Sequence, residues 1–163
     1  MNQDEIIRYN LLALLTGKSA RMSFDDCVRS FPMDRINESF PNADYSPWDL
    51  LEHTRLAQED ILDFIINPDY KNRNFPNDYW PPKGKKATPA DWENTVNGYK
   101  KDLDELENMV KNPETDLYYL IPWGTGQTLL REIITVSNHN DFHLGEFAIM
   151  RQVMGTWGET NRM

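Results

Sequence analysis

Cysteine is almost absent from this 163-residue chain. Cys27 stands alone, so no internal disulfide can form, and the residue reads as a small buried hydrophobe rather than a catalytic thiol. Basic charge is short as well. The count of 17 Lys and Arg against 26 Asp and Glu gives a net −9, which argues against a surface that tracks phosphates. Lys83, Lys85 and Lys86 form the one small basic run, and a solvated loop explains it. No apolar run approaches the ~18 residues of a membrane span. The first residues, Met1 to Glu5, are polar and acidic, unlike a signal peptide, so a cytoplasmic location and no membrane partner are expected. Internal repeats, low-complexity tracts and alternating strand patterns are also missing.

What is present is helical periodicity. A chain of this length fits one domain, residues 1–163, and 39% hydrophobic residues suffice for a real core. The first apolar stripe runs from about Asn2 to Thr16, with Ile6, Ile7, Leu11, Leu14 and Leu15 on it and Gly17 as a stop. A short helix follows the cap residue Ser23, from Phe24 to about Ser30. Ser46, Pro47 and Asp49 form a strong start signal for a second long helix, which should reach Ile66 before Pro68. Thr88 and Pro89 open a third, to about Lys111, and a fourth runs from about Thr128 to Met154, stopped by Gly155. The expected fold is all-α: a four-helix bundle with a short extra helix between its first and second long helices. The long connector from Asn67 to Thr88 carries Phe75, Tyr79 and Trp80, which either plug one end of the core or cover a site.

Histidine is the scarce residue that carries chemistry. There are three. His139 and His143 lie four apart and project from one helix face. They interrupt the stripe of Leu129, Ile133, Val136, Phe147, Met150 and Met154. His53 lies on the apolar stripe of the second long helix, with Leu50, Ala57, Ile61 and Phe64. A lone inward-facing histidine is ordinarily a satisfied core residue. Three are costly to bury, because each ring has two nitrogens to satisfy. One divalent metal ion bound by His53, His139 and His143 would satisfy a nitrogen on each and leave open positions.

Other metal motifs are excluded. The stretch His139-Asn140-Asp141-Phe142-His143 lacks the Glu of a zincin HExxH. Leu50, Val136 and Asn140 stand three residues before the histidines, so the Glu-x-x-His of di-iron bundles is absent. Three carboxylates fall near the histidine faces: Glu146, Glu132 and Asp60. Each can orient a ligand or act as a general base, or be an ordinary surface carboxylate. Gly145 sits mid-helix, where glycine costs about 1 kcal/mol against alanine, and so marks a place for close approach.

His139-Asn-Asp-Phe-His143-Leu-Gly145-Glu146 resembles the H-x-x-x-H-x-G-Q stretch of the DinB/YfiT superfamily of metal-dependent bundle proteins. Ser46-Pro-Trp48-Asp-Leu-Leu-Glu-His53 is similar to the helix-two histidine segment of that superfamily. The resemblance covers nearly the whole chain. It implies an up-and-down-type four-helix bundle with His53, His139 and His143 as ligands of Zn or Ni. It implies a metal-dependent enzyme, first a thiol S-transferase acting on a small-molecule electrophile with a low-molecular-weight thiol as co-substrate. The name's link to DNA damage concerns gene expression, and no nucleic-acid partner is implied. Glu146 departs from the family's common Gln, so it is the candidate catalytic base. A metal-dependent hydrolase and a non-catalytic metal- or ligand-binding module are the competing readings, and monomer or homodimer stays open.

Overall fold

The computed structural model describes residues 1–18 and 20–158. Among them it contains five α-helices and no strand. These are α1 (Gln3–Thr16), α2 (Phe24–Val28), α3 (Pro47–Ile66), α4 (Pro89–Lys111) and α5 (Leu129–Met154). One isolated antiparallel bridge joins Leu120 to Thr128 at the start of α5. The protein is all-α, and no helix among the described residues is long and apolar enough to cross a membrane.

The helix starts follow from side-chain chemistry. Asn2, Ser46 and Thr88 each accept from the backbone N–H three residues on. Glu5, Asp49 and Asp91 reciprocate at the cap N–H, which satisfies two orphan donors per helix. Gly17 and Gly155 end α1 and α5 in the left-handed region, at φ 75° and 65°. The short helix α2 ends at Val28 rather than Ser30, because Ser30 itself turns left-handed at φ 52° ahead of Pro32.

Arginines from distant segments close the carbonyl ends. Arg8 of α1 donates to Val110 and Asn112 at the end of α4 (2.9 Å each) and to Thr115 (2.6 Å). Arg151 donates to Cys27 (2.6 Å) and Arg29 (2.9 Å) at the end of α2. Arg21 reaches Leu15 of α1 (2.9 Å), and Arg35 reaches Met154 of α5 (2.7 Å). Each guanidinium meets the partial negative charge of a helix C-terminus, so these bonds fix helix ends to one another.

α3 packs on α4 and α5, and α1 packs on the same two helices from the other side. The directions differ from a simple up-and-down alternation. Trp48 Nε1 donates to Thr95, and Gln58 Nε2 to the carbonyl of Tyr99, so α3 and α4 run parallel. His53 meets His143 while Gln58 meets Asn140, so α5 runs antiparallel to α3. The connector of residues 67–88 explains this. It is long enough to return the chain to the end of the molecule where α3 began. The 16-residue span 112–127, by contrast, turns α4 back into α5.

The interior has two apolar clusters. One gathers Phe24, Trp48, Leu51, Trp92, Tyr99, Leu144 and Phe147; the other gathers Leu11, Leu15, Leu62, Leu106, Ile133 and Val136. Between them runs a buried polar layer. Asn140 Nδ2 donates to Gln58 Oε1 at 2.8 Å, and Gln58 Nε2 donates to the Tyr99 carbonyl at 2.7 Å. The three histidines lie at the level of this layer.

Candidate metal centre

α3 carries His53 and α5 carries His139 and His143, and the antiparallel packing of the two helices brings all three imidazoles together. Ring centroids are 5.2 Å apart for His53–His139, 4.7 Å for His53–His143 and 4.5 Å for His139–His143. One donor atom from each lies within 4.8 Å of the others. This group could hold a metal ion, as the spacing of the sequence suggests.

Hydrogen bonds fix two of the tautomers. His53 Nδ1 lies 2.7 Å from the carbonyl oxygen of Tyr79. A carbonyl only accepts, so Nδ1 carries the proton and Nε2 presents a bare lone pair. His143 Nδ1 lies 2.9 Å from Glu146 Oε2. An ionised carboxylate also only accepts, so His143 Nδ1 carries a proton as well. The Nε2 atoms of the two rings face each other at 3.2 Å. That distance suits an N–H···N hydrogen bond from His143 to His53, and it equally suits two ligands of one metal ion. Two imidazoles on a tetrahedral ion with bonds of about 2.0–2.1 Å stand about 3.3 Å apart.

His139 completes the set differently. Its Nδ1 is buried and has no hydrogen-bond partner among the described residues. Burial, reinforced by the like charges His143 and His53 would carry, pushes its pKa down to about 4. Burial also holds His53 below the ordinary imidazole value, despite the Tyr79 carbonyl that favours its protonated form. Both rings are thus held neutral near pH 7, the form that binds metal. Three imidazoles are a donor set that suits a divalent transition metal, and three protein ligands leave at least one position free. The donor set fits the ion that the spacing called for.

Glu146 is placed beside His143, but both of its oxygens are occupied. Oε2 accepts from His143 and Oε1 accepts from the hydroxyl of Tyr45. Burial, and then the Glu146 carboxylate, raise the Tyr45 hydroxyl to about 12, so it stays a donor. That arrangement orients the His143 ring, and each oxygen keeps a second lone pair able to accept a proton. Trp80 lies flat on His53, with centroids 4.1 Å apart and planes 5° from parallel, and it also meets Tyr45 at 5.4 Å. The connector's aromatics therefore cover the histidines from one side.

Asp60 does not touch an imidazole; it accepts from the hydroxyls of Tyr79 (2.6 Å) and Tyr70 (3.1 Å). Glu132 is buried beside Arg131, its ion-pair partner at the start of α5, with no bond to a histidine among the described residues. Asp141 points away to Arg21. Gly145 faces outward, and a Cβ there would meet nothing within 4 Å, so the close approach expected at that position is not observed. Cys27 is fully buried, and burial raises its thiol to about 11, which removes it as a nucleophile.

Tyr45 is the site residue that sequence reasoning missed. It lies just before the Ser46 cap, a position whose side chain commonly packs back on the first turn, and that was its only signal. No protein-family model, no curated protein and no solved structure matches the chain.

Proposed function

We propose that this chain is a DinB/YfiT-like four-helix bundle that binds one divalent ion, Zn or Ni, through His53, His139 and His143. We further propose that it conjugates a small thiol to a small electrophile. The observation that carries the metal reading is the convergence of three imidazoles, one nitrogen of each within 4.8 Å of the others, with the Nδ1 protons of His53 and His143 committed elsewhere. A bound divalent ion acidifies a coordinated thiol or water, which makes a nucleophile available near neutral pH.

The chain's own residues have separable tasks. The Tyr79 carbonyl holds the proton on His53 Nδ1, and Glu146 holds the proton on His143 Nδ1. Both partners raise the basicity of the nitrogen on the far side of the ring. Tyr45 fixes Glu146 from the other side. Trp80 excludes water from the face of His53 that it covers. In the conjugation the thiol's proton passes to bulk water, its sulfur bonds to the electrophilic carbon, and the leaving group departs with the bonding pair, so that proton and leaving group together leave as the acid of the leaving group.

The test begins with elemental analysis of protein purified without added metal. It continues with thiol consumption in the presence of electrophiles, with and without chelator. About one ion per chain, and conjugation lost on chelation and in His53→Ala, is the expected result. Absence of metal binding in the intact protein overturns the whole reading. Metal-dependent cleavage of an ester or amide without thiol use replaces transferase by hydrolase. Metal binding with neither activity leaves a binding module.

A further inference from the structure

The connector between α3 and α4 is fastened to α3 by a carboxylate that never reaches the histidines. Asp60 lies on α3, seven residues and two turns beyond His53, on the same side of the helix. It is buried at 7% exposure. Oδ2 accepts from the Tyr79 hydroxyl at 2.6 Å, Oδ1 accepts from the Tyr70 hydroxyl at 3.1 Å, and Arg73 Nε lies 3.4 Å from Oδ1. Arg73 also bonds Glu59 (2.8 Å) and the Leu56 carbonyl (3.1 Å). Tyr70, Arg73 and Tyr79 all belong to the connector, so one buried carboxylate draws its first half onto α3.

Tyr79 is held at two points. Its hydroxyl binds Asp60, and its carbonyl accepts from His53 Nδ1–H at 2.7 Å. The next residue, Trp80, stacks on the His53 ring. Position and tautomer of His53 therefore depend on where the Tyr79 backbone lies, and the Tyr79 hydroxyl is its tie to α3.

Resting on the metal site proposed above, we propose that Asp60 is a positioning residue that acts through Tyr79 to keep His53 in its Nδ1–H form with Nε2 free for metal. The same chain of contacts places the Trp80 indole over the site. Asp60 touches neither metal nor substrate in this role. Tyr70 shares the carboxylate but has no link to His53, which provides an internal control.

The experiment compares Asp60→Asn, Tyr79→Phe, the double variant and Tyr70→Phe as full-length proteins. Two readouts are taken. Imidazole 1H–15N correlation NMR reads the His53 tautomer in metal-free protein. Competition between each protein and a chromophoric chelator reads Zn2+ affinity. The metal-free wild type should show His53 as a single Nδ1–H species. Tyr79→Phe and Asp60→Asn should each introduce the Nε2–H form and weaken Zn2+ binding roughly 10- to 100-fold, the range for partners that orient ligands. The double variant should be no weaker than the worse single one, because the two residues act in series. Tyr70→Phe should leave the tautomer unchanged and Zn2+ affinity within about threefold.

An unchanged tautomer in Tyr79→Phe overturns the proposal, as does additivity in the double variant. If Asp60→Asn fails to fold, Tyr79→Phe alone decides, since it removes one oxygen atom and keeps the carbonyl. If wild type shows the Nδ1–H form and the variants lose it while no protein binds Zn2+, the metal reading falls and the positioning role is reduced to holding a core histidine. If wild type binds Zn2+ and both variants bind it equally well, the positioning proposal falls and the metal reading stands.

Discussion

Acid should destabilise the metal-free protein through His139, and the size of the effect follows from its surroundings. The folded-state pKa is pushed down to about 4 from an ordinary 6.5, first by burial and then by the neighbouring imidazoles. Below pH 6.5 the unfolded chain binds a proton here that the folded chain refuses. Stability therefore falls as pH drops from 6.5 and levels off once it passes the folded value near 4. The full difference corresponds to about 3 kcal/mol, at about 1.36 kcal/mol per tenfold change in proton affinity. At pH 5 the same relation gives about 2 kcal/mol, and solvent reaching the half-buried ring makes this an upper figure. Against a typical total of about 5–15 kcal/mol that is readily measured. The perturbation is acidification from pH 7.5 to 4.5 of metal-stripped wild type and of His139→Gln, which cannot titrate. The assay is urea unfolding followed by circular dichroism. With a slope near 2 kcal/mol per molar urea, the wild-type midpoint should fall about 1 M further than that of the variant between pH 7.5 and 5. Zn2+ should raise the wild-type midpoint at pH 7.5 and lose this effect by pH 5, since protons compete for the same nitrogens. Parallel stability curves for wild type and His139→Gln would refute the reasoning, because the buried ring would then titrate as an exposed one does.

Three further outcomes are expected. Glu146→Gln should lower Zn2+ affinity roughly 10- to 100-fold while activity at saturating metal persists; an unchanged affinity with a rate loss of about 10²-fold would make Glu146 a general base instead. Gly145→Ala should raise stability by up to about 1 kcal/mol, or about 3 °C in a thermal melt, since the added Cβ meets open space; a lower melting point would contradict that. Cys27 should resist a disulfide reagent in the native state and react only at the rate of unfolding; rapid labelling in native buffer would contradict its burial and its raised pKa.

The helical half of the site was legible in the sequence because helices have a period. An apolar stripe interrupted at 139 and 143, and another carrying residue 53, are enough to tell that those rings point inward. The start signals Ser46-Pro47 and Thr88-Pro89 placed α3 and α4 to the residue. The contacts that orient the rings were not legible, although Tyr79 and Trp80 stood out as connector aromatics fit to cover a site or plug the core. Tyr45, Tyr79 and Trp80 lie in connectors, where no period relates a residue's number to its direction. Tyr79 also contributes its carbonyl to His53, and a backbone atom leaves no trace in residue identity. Helix direction escaped for a related reason: the spacing of capped stripes is the same whether a long connector turns the chain or carries it back. Glu132 shows the limit of periodicity itself. It shares the face of His139 two turns away, but that distance along α5 takes it to the far apolar cluster, beside Ile133 and Val136.

The rest of the interior bears on whether these histidines are merely core residues. This chain satisfies its buried polar groups with care. Arg8 donates to three carbonyls and to Asp4, and Arg151 to the carbonyls of Cys27, Arg29 and Thr156. Gln58 joins Asn140 to Tyr99 across the polar layer. Among the described residues, the buried side-chain atoms without a partner are Tyr99 Oη, His139 Nδ1, Asn140 Oδ1 and Arg151 Nε. Two of those four lie on adjacent residues of α5 at the level of the histidines. In the same place the Nε2 atoms of His53 and His143 lie 3.2 Å apart. A buried donor or acceptor left unpaired costs about 1–3 kcal/mol, and two of the four such atoms fall together beside the histidines. A core histidine needs one donor and one acceptor partner. His53 and His143 have a carbonyl and a carboxylate at Nδ1 and turn Nε2 toward each other beside His139, the arrangement expected of rings oriented to meet a cation.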